Sequence, residues 1–208
     1  MKRRDFLKSV SGLAAGALAP TAPAIWSPAK ADARSETLLI VSEGGPNNLD
    51  IHGIGTNVPG YEVSWNCYDR LISHEMKSGP GDVPYYDRDK FKPELAEDFN
   101  IGDMSATFKL RKNAKFHDGT PVTAKDVKWS LDRCVTAPIL GKAQLLTGSL
   151  TSADQFKVID PVTIEVTLPK PDKLALPNLA TVYPIIINSK LAKAHATAED
   201  PWALNWTK

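Results

Sequence analysis

The side chains best suited to bind a ligand lie in the loop that follows the first apolar segment. Residues 37–42 (Thr-Leu-Leu-Ile-Val-Ser) are typical of a buried β-strand, and residues 43–47 (Glu-Gly-Gly-Pro-Asn) break that strand at once. Open α/β sheets place ligands beyond the carboxyl ends of their strands. The residues predicted to bind a ligand there are Glu43, Gly44, Gly45 and Asn47. Glu43 is interpreted equally well as a solvated turn carboxylate.

Four residues further along the chain complete the set of candidate ligand-binding residues. They are Asn57, Tyr61, Trp65 and Thr181. Tyr61 and Trp65 recur with Tyr68 at three- and four-residue intervals, which predicts an amphipathic helix over residues 61–72. Packing of that aromatic stripe against a core explains the same side chains without a ligand.

The sequence lacks the residue spacings that catalytic and metal sites require. The histidines are His52, His74, His117 and His195. They show no His-x-x-x-His spacing, the cysteines show no Cys-x-x-Cys spacing, and surface positions account for the histidines. No Gly-x-Ser-x-Gly, Walker-type or Gly-x-Gly-x-x-Gly motif follows a predicted strand. We therefore expect no catalytic residue, no metal site and no cofactor.

The first 31 residues have the composition of a secretory signal peptide. Basic residues precede a nearly uncharged run over residues 10–28 that is rich in alanine and glycine. The Arg3-Arg4 pair, followed by Phe6-Leu7, resembles a twin-arginine export signal, which implies export by the twin-arginine translocase. Ala29 and Ala31 are the small residues of a cleavage motif, and cleavage is predicted after Ala31. Residues 1–31 are then the signal peptide, and residues 32–208 are the mature, soluble, periplasmic part.

Composition places the mature part among ordinary globular proteins. The whole chain is 42% hydrophobic, with 25 basic and 24 acidic residues. Cleavage removes five basic side chains and one acidic side chain, which leaves 20 basic and 23 acidic residues and a net charge near −3. A protein with that charge is not expected to bind nucleic acid.

Two cysteines, Cys67 and Cys134, would meet an oxidising compartment after export. Each lies in a segment with helical periodicity, and their separation along the chain does not show whether they are close in space. The sequence leaves both a disulfide and two separate buried thiols open.

Alternating patterns predict antiparallel hairpins in the mature part. Residues 107–111 (Thr-Phe-Lys-Leu-Arg) alternate between apolar and cationic side chains, as a half-buried strand does, and are predicted to pair with residues 98–101. A second hairpin is predicted for residues 156–159 and 163–168, because Asp160-Pro161 favours a turn between them.

A capping box predicts the start of the main helix. Thr123 precedes Asp126 by three residues, in front of a helical stripe formed by Val127, Leu131 and Cys134.

Three other segments have weaker patterns. Residues 78–92, with glycines, prolines and charges, indicate a surface excursion. Residues 174–180 favour a short helix, and residues 183–187 favour a buried strand.

Several stretches of the mature part match one known family. Residues 96–119 begin Ala-Glu-Asp-Phe-Asn-Ile and continue through Phe-Lys-Leu-Arg-Lys-Asn-Ala-Lys-Phe-His-Asp-Gly, and residues 129–133 read Trp-Ser-Leu-Asp-Arg. With residues 68–71 and 183–187, these segments closely resemble the family 5 solute-binding proteins, the peptide- and nickel-binding group. The physical patterns explain residues 96–119 as structural: an alternating strand, a tight turn and a capped helix.

The resemblance implies a fold. It is an α/β, periplasmic-binding-protein-like clamshell of type II, with mixed sheets and flanking helices, in which two lobes enclose the ligand. Family members are more than twice as long as this chain, so residues 32–208 are expected to hold most of lobe one only. The end at Lys208 is expected to leave an open sheet edge.

The resemblance also implies a function. Relatives act as monomeric extracytoplasmic receptors that deliver a solute to the permease subunits of an ABC importer in the inner membrane, without a cofactor. In several peptide binders an acidic side chain after the first strand of lobe one contacts the amino group of the ligand, and Glu43 occupies that position here.

Several ligands and two other functions stay open at this stage. Peptides are the first expectation, and oligosaccharides or opines are the second, because Trp and Tyr side chains near a polar cleft suit sugar stacking. The rival functions are an exported enzyme, and a periplasmic chaperone or signalling adaptor that uses the same fold.

The paired arginines lead to a test of the export route. Replacing Arg3 and Arg4 by lysine should trap the precursor in the cytoplasm, because the twin-arginine route requires the arginine pair. Cell fractionation followed by immunoblotting measures the distribution. Unchanged delivery to the periplasm would mean that the general secretory route carries the protein.

Overall fold

The computed structural model describes residues 39, 41 and 44–207. The predicted signal peptide, the predicted strand at residues 37–42 and Glu43 therefore lie outside the described residues, apart from residues 39 and 41, which are not in a strand. No helix within the described residues is long and apolar enough to cross a membrane.

The described part contains five α-helices and six β-strands. The helices are α1 (Val58–Cys67), α2 (Ala124–Thr136), α3 (Leu140–Leu146), α4 (Ala175–Leu179) and α5 (Ser189–Ala194). The strands are β1 (Ile72–Ser78), β2 (Pro84–Pro93), β3 (Ala96–Ile101), β4 (Ser105–Leu110), β5 (Phe156–Asp160) and β6 (Thr163–Thr167). β1 and β2 form a two-stranded sheet, and the other strands form an antiparallel sheet in the order β3-β4-β6-β5.

The four-stranded sheet confirms both predicted hairpins. β3 pairs with β4 in a register that places Phe99 opposite Phe108, and β5 pairs with β6 across the Asp160-Pro161 turn. Alternation along β4 turns Phe108 and Leu110 inward, where both are fully buried.

The main core lies between this sheet and α2. Val127 and Leu131 of α2 are fully buried in one cluster with Phe108 and Ile164. Burial of each such side chain stabilises the fold by about 1.5–3 kcal/mol. The predicted capping box is present, because the Asp126 carboxylate accepts hydrogen bonds from the Thr123 backbone N–H at 3.0 Å and from its hydroxyl at 2.6 Å.

The surface position predicted for residues 78–92 is confirmed, because most of them are exposed, but residues 84–92 belong to the strand β2, which the sequence did not indicate. β2 pairs with β1 from Ile72 opposite Pro93 to Ser78 opposite Pro84, with a bulge between His74 and Glu75. The glycines and proline that indicated a loop form only the connection between the strands, and Pro84 and Pro93 stand at the two ends of β2. Its charged residues are mostly exposed on a sheet of two strands, so no apolar alternation marks them.

The aromatic helix is shorter than predicted. α1 ends at Cys67, and Leu71 and Ile72 lead into β1 instead. Its aromatic stripe does not face a core as a unit, because Tyr61 is partly buried but Trp65 is 40% exposed.

The segment that precedes α5 corrects a further prediction. Residues 183–187 are buried or partly buried but belong to no strand, although the Ile186 N–H donates to the Asp69 carbonyl at 3.0 Å. Pro184 lacks a backbone N–H, which prevents a regular ladder there. The short helix predicted for residues 174–180 is confirmed as α4.

Both cysteines are free, so they form neither a disulfide nor two buried thiols. Cys134 is buried on α2, whereas Cys67 is exposed at the end of α1.

Gly148 offers a test of how closely α3 and α4 pack. A Cβ atom there would lie 2.9 Å from both the Ala175 Cα and the Leu174 carbonyl oxygen, and backbone cannot move aside cheaply. Gly148→Ala should lower the free energy of unfolding by about 1–3 kcal/mol, as overpacking does. Urea denaturation measures the change.

Gly102→Ala is the matched control. Its nearest non-neighbouring atom would be the Ser105 carbonyl oxygen at 3.5 Å, so a change within about 0.5 kcal/mol is expected. Equal effects of the two substitutions would contradict the packing argument.

Candidate ligand-binding site

A pair of asparagines closes the loop that leads into α1. Asn47 and Asn57 bond reciprocally: each backbone N–H donates to the side-chain oxygen of the other residue, at 3.2 and 3.1 Å. The Asn57 amide also donates to the Gly45 carbonyl at 3.0 Å, and its oxygen accepts from the Gly60 N–H as the N-cap of α1. The structure thus brings together Gly45, Asn47 and Asn57, which the sequence places up to 12 residues apart.

These hydrogen bonds define what the loop can offer a ligand. The amide groups of both asparagines are engaged within the loop, since Asn47 also donates to the Gly55 carbonyl at 2.8 Å. Gly44 and Gly45 are exposed, and a Cβ atom on either would meet nothing within 4 Å. A ligand could therefore approach the backbone of these glycines closely, while the asparagines hold the loop in shape. The ligand-binding role of all four residues stays a prediction.

Tyr61 lies one helical turn after Asn57 and pairs with Tyr183. The two hydroxyls are 2.9 Å apart, and the rings meet edge to face with centroids 6.1 Å apart. Burial, together with the hydrogen bond to Tyr61, raises the pKa of Tyr183 to about 12. This pair fastens α1 to residues 181–187.

Two of the predicted ligand-binding residues, Thr181 and Trp65, contact other parts of the structure and not this loop. The Thr181 hydroxyl donates to the Asn178 carbonyl at 2.8 Å, which completes the end of α4. Trp65 stacks against Tyr86 of β2 instead, with ring centroids 6.3 Å apart.

Sequence reasoning missed a buried ion pair beneath the loop. Asp50 is 3% exposed and Arg133 of α2 is fully buried. Arg133 donates through Nη1 and Nη2 to the two carboxylate oxygens of Asp50, at 3.0 and 2.5 Å. Its Nε–H donates to the Trp202 carbonyl at 3.1 Å, and the Thr207 hydroxyl donates to Asp50 at 2.6 Å. One available signal was a cation beside the apolar stripe of α2, since a buried charge requires a partner.

His52 joins this pair, which corrects its predicted surface position. The ring is fully buried, with Nδ1 2.7 Å from Arg133 Nη1 and Nε2 2.6 Å from the Tyr183 carbonyl. Arg133 can only donate, so Nδ1 accepts and Nε2 carries the proton that bonds Tyr183. Burial lowers the pKa of His52 to about 4, although the Asp50 carboxylate opposes the shift.

The groups around the ion pair have the properties of a scaffold. Burial would raise the pKa of the Asp50 carboxyl, but the hydrogen bond from Arg133 and the nearby charges hold it below its usual value. Burial raises the pKa of the Cys134 thiol, whose sulfur lies 3.0 Å from His52 Nε2, so the thiol is neutral and a poor nucleophile. Within the described residues no group of three His, Cys, Asp or Glu side chains is placed to hold a metal ion.

A cavity of about 640 Å³ is lined in part by Asp50. Its volume lies in the size range of small-molecule sites. Apolar side chains such as Tyr68, Phe116, Ile186 and Trp206 line much of it. None of the predicted ligand-binding residues that the structure describes lines this cavity. This cavity and the described part of the predicted binding loop are therefore different places in the structure.

The buried His52 leads to a prediction about pH. Its folded pKa of about 4 lies below the roughly 6.5 of an unfolded histidine, so the unfolded state binds more protons between these values. The free energy of unfolding should therefore fall as the pH is lowered from about 6.5 to about 4, by roughly 3 kcal/mol. Urea titrations at a series of pH values measure this slope.

His52→Asn keeps one donor and one acceptor but cannot titrate. The variant should lose that part of the slope, whatever its absolute stability. Identical slopes for the variant and the original protein would show that His52 is not the group responsible.

Comparisons with known proteins agree with this architecture. The family described as bacterial extracellular solute-binding proteins, family 5 (middle), matches residues 90–206. The oligopeptide-binding protein OppA of Escherichia coli K12 is 28% identical over 191 residues, which are 85% of this chain and 32% of that protein. The probable D,D-dipeptide-binding protein DdpA of the same organism is 29% identical over 77% of this chain and 29% of that protein. The chain thus spans about a third of the length of these relatives.

Solved structures share the fold. The structure of AgaA in complex with agropinic acid, from A. tumefacien R10, matches 76% of this chain and 29% of that protein, with 28% identity and a TM-score of 0.58. OppA from Haemophilus influenzae matches 79% of this chain and 32% of that protein, with 20% identity and a TM-score of 0.61. The mixed α/β arrangement is therefore part of a periplasmic-binding-protein fold. Since the matched segment covers more than half of the sequence, the chain belongs to family 5 of the bacterial extracellular solute-binding proteins.

Proposed function

We propose that the protein carrying this chain is the extracytoplasmic substrate-binding receptor of an ABC importer and that it captures peptides. The observation that carries the proposal is membership of family 5 together with the names of the relatives. These are oligopeptide-binding, D,D-dipeptide-binding and dipeptide-binding proteins, and a glutathione-binding protein that is 31% identical over 125 residues.

The described loop supports this proposal as one wall of a binding cleft. The reciprocal Asn47 and Asn57 bonds, with the bond from the Asn57 amide to the Gly45 carbonyl, hold the loop next to the exposed Gly44. A preformed wall lowers the entropy lost when a ligand binds. Glu43 directly precedes these glycines, and its carboxylate would accept hydrogen bonds from the amino group of a peptide.

In this proposal residues 32–208 form the N-terminal lobe. The opposite wall of the binding cleft would come from a second lobe. Closure of the two lobes around the peptide would desolvate its polar groups and bury them in hydrogen bonds. The closed form would bind the permease subunits, because only that form makes the ligand-dependent contacts. Residues 1–31 would direct export to the periplasm by the twin-arginine translocase.

Opines are the second candidate ligand class. AgaA, which is 28% identical over the matched region, was solved with agropinic acid bound. The family consists of binding proteins, which favours binding over catalysis in either case.

Calorimetry with the intact protein and a panel of di- to pentapeptides tests the peptide proposal. At least one peptide should bind stoichiometrically, and Glu43→Gln should weaken that binding by about 10- to 100-fold because a charged hydrogen bond is lost. Glu62→Gln, at an exposed position on α1, is the matched control and should leave affinity unchanged.

An N-acetylated form of the same peptide should bind both Glu43 forms equally weakly. Binding of agropinic acid but of no peptide would favour the opine alternative. Turnover of a solute would support the rival hypothesis of an exported enzyme. Sub-stoichiometric binding of unfolded chains would support the rival hypothesis of a chaperone.

A further inference from the structure

A second, polar and aromatic groove lies where the end of α1 meets the β1–β2 hairpin. It measures about 530 Å³, and side chains from the end of α1, from β1 and β2 and from the residues next to these strands line it. Trp65 is the only predicted ligand-binding residue among them, and none of the asparagine loop contributes. The peptide-binding proposal therefore leaves this groove without a role.

Trp65 and Tyr86 form a fixed aromatic surface in the groove. Their rings are inclined by only 22°, and 40% of Trp65 and 49% of Tyr86 remain exposed. The Arg70 guanidinium lies 4.2 Å from the centre of a Trp65 ring. Arg70 is itself held by two side-chain hydrogen bonds to Glu94 and is 6% exposed, so the cation beneath the surface is rigidly placed.

Polar groups surround the aromatic surface. Asn66, Ser73 and Glu94 supply both donors and acceptors along the groove. His74 also lines it, and its buried ring Nδ1 has no hydrogen-bond partner within residues 44–207. An unsatisfied buried polar atom costs free energy, and a ligand hydroxyl that reached it would recover that cost.

Lys92 is the second basic side chain that lines the groove. Arg70 is neutralised by Glu94, whereas Lys92 forms no ion pair with any other described residue. An anionic group on a ligand would therefore find a partner on this rim.

We propose that this groove binds a saccharide ring and prefers an acidic sugar. The apolar C–H face of a pyranose would stack on Trp65 and Tyr86, as apolar groups pack on exposed aromatic faces. Its hydroxyls, which both donate and accept, would match the surrounding side chains, and a ring carboxylate would pair with Lys92. This site goes beyond the proposed peptide receptor and is independent of its binding loop.

Saturation-transfer NMR titration of the intact protein with glucuronic acid, and with glucose for comparison, tests the proposal. Glucuronic acid should bind more tightly than glucose, and Trp65→Ala and Tyr86→Ala should each weaken its binding by about tenfold. Both side chains lie partly at the surface, and circular dichroism would verify that the variants fold. Lys92→Met should remove the preference for the acidic sugar.

Tyr85→Ala is the matched control, because Tyr85 is an equally exposed tyrosine of β2 that does not line the groove. It should leave the affinity within about twofold. Absence of binding, equal losses in the Tyr85 and Tyr86 variants, or displacement of the sugar by a bound peptide would overturn the proposal. Peptide affinity measured in the same samples separates the two proposals, since Tyr86→Ala, at a residue outside the predicted peptide-binding set, should not change it.

Discussion

The contact on which the described structure most depends is the buried ion pair between Asp50 and Arg133. It joins residues that are 83 positions apart and draws in Trp202 and Thr207 from the end of the described chain. Loop, helix and C-terminal segment therefore meet at one guanidinium. His52, beside the same guanidinium, extends the network to the Tyr183 carbonyl through its ring. The His52 backbone carbonyl accepts from the N–H of Leu140, which begins α3.

Burial makes this pair far more demanding than an ion pair on the surface. Removal of one partner from a buried pair typically costs about 3–5 kcal/mol, because the other charge is left desolvated and alone. The exposed pair of Lys109 with Glu97, by contrast, belongs to a class that contributes about 0–1 kcal/mol. The two hydrogen bonds between Asp50 and Arg133 therefore restrain the loop before α1. In the proposed receptor, a loop restrained in this way would form the fixed wall of the cleft.

The groove at Trp65 is built on different principles from the asparagine loop. It rests on a two-stranded hairpin and on the pair of Arg70 with Glu94, and it shares no side chain with the Asp50 network. A ligand there would contact exposed aromatic faces, whereas the loop offers backbone groups held in place from below. Two surfaces of different chemistry can thus be carried by one small α/β unit.

The sequence by itself determined the elements whose signals are local: the alternating strands, the capping box from Thr123 and the family to which the chain belongs. The strands and the capping box follow from neighbouring residues alone, because the strand pleat, the helical period and the helix cap each act over a few positions. It also indicated the loop of Asn47, although not that the side-chain oxygens of Asn47 and Asn57 each accept the backbone N–H of the other residue. Only the tertiary structure decided that β2 is a strand, that Trp65 faces a hairpin and that Arg133 is buried on Asp50. Each depends on a partner outside the segment itself, 83 positions away for Arg133 and across a hairpin for β2, and a charge or an aromatic ring looks the same in the sequence with or without that partner.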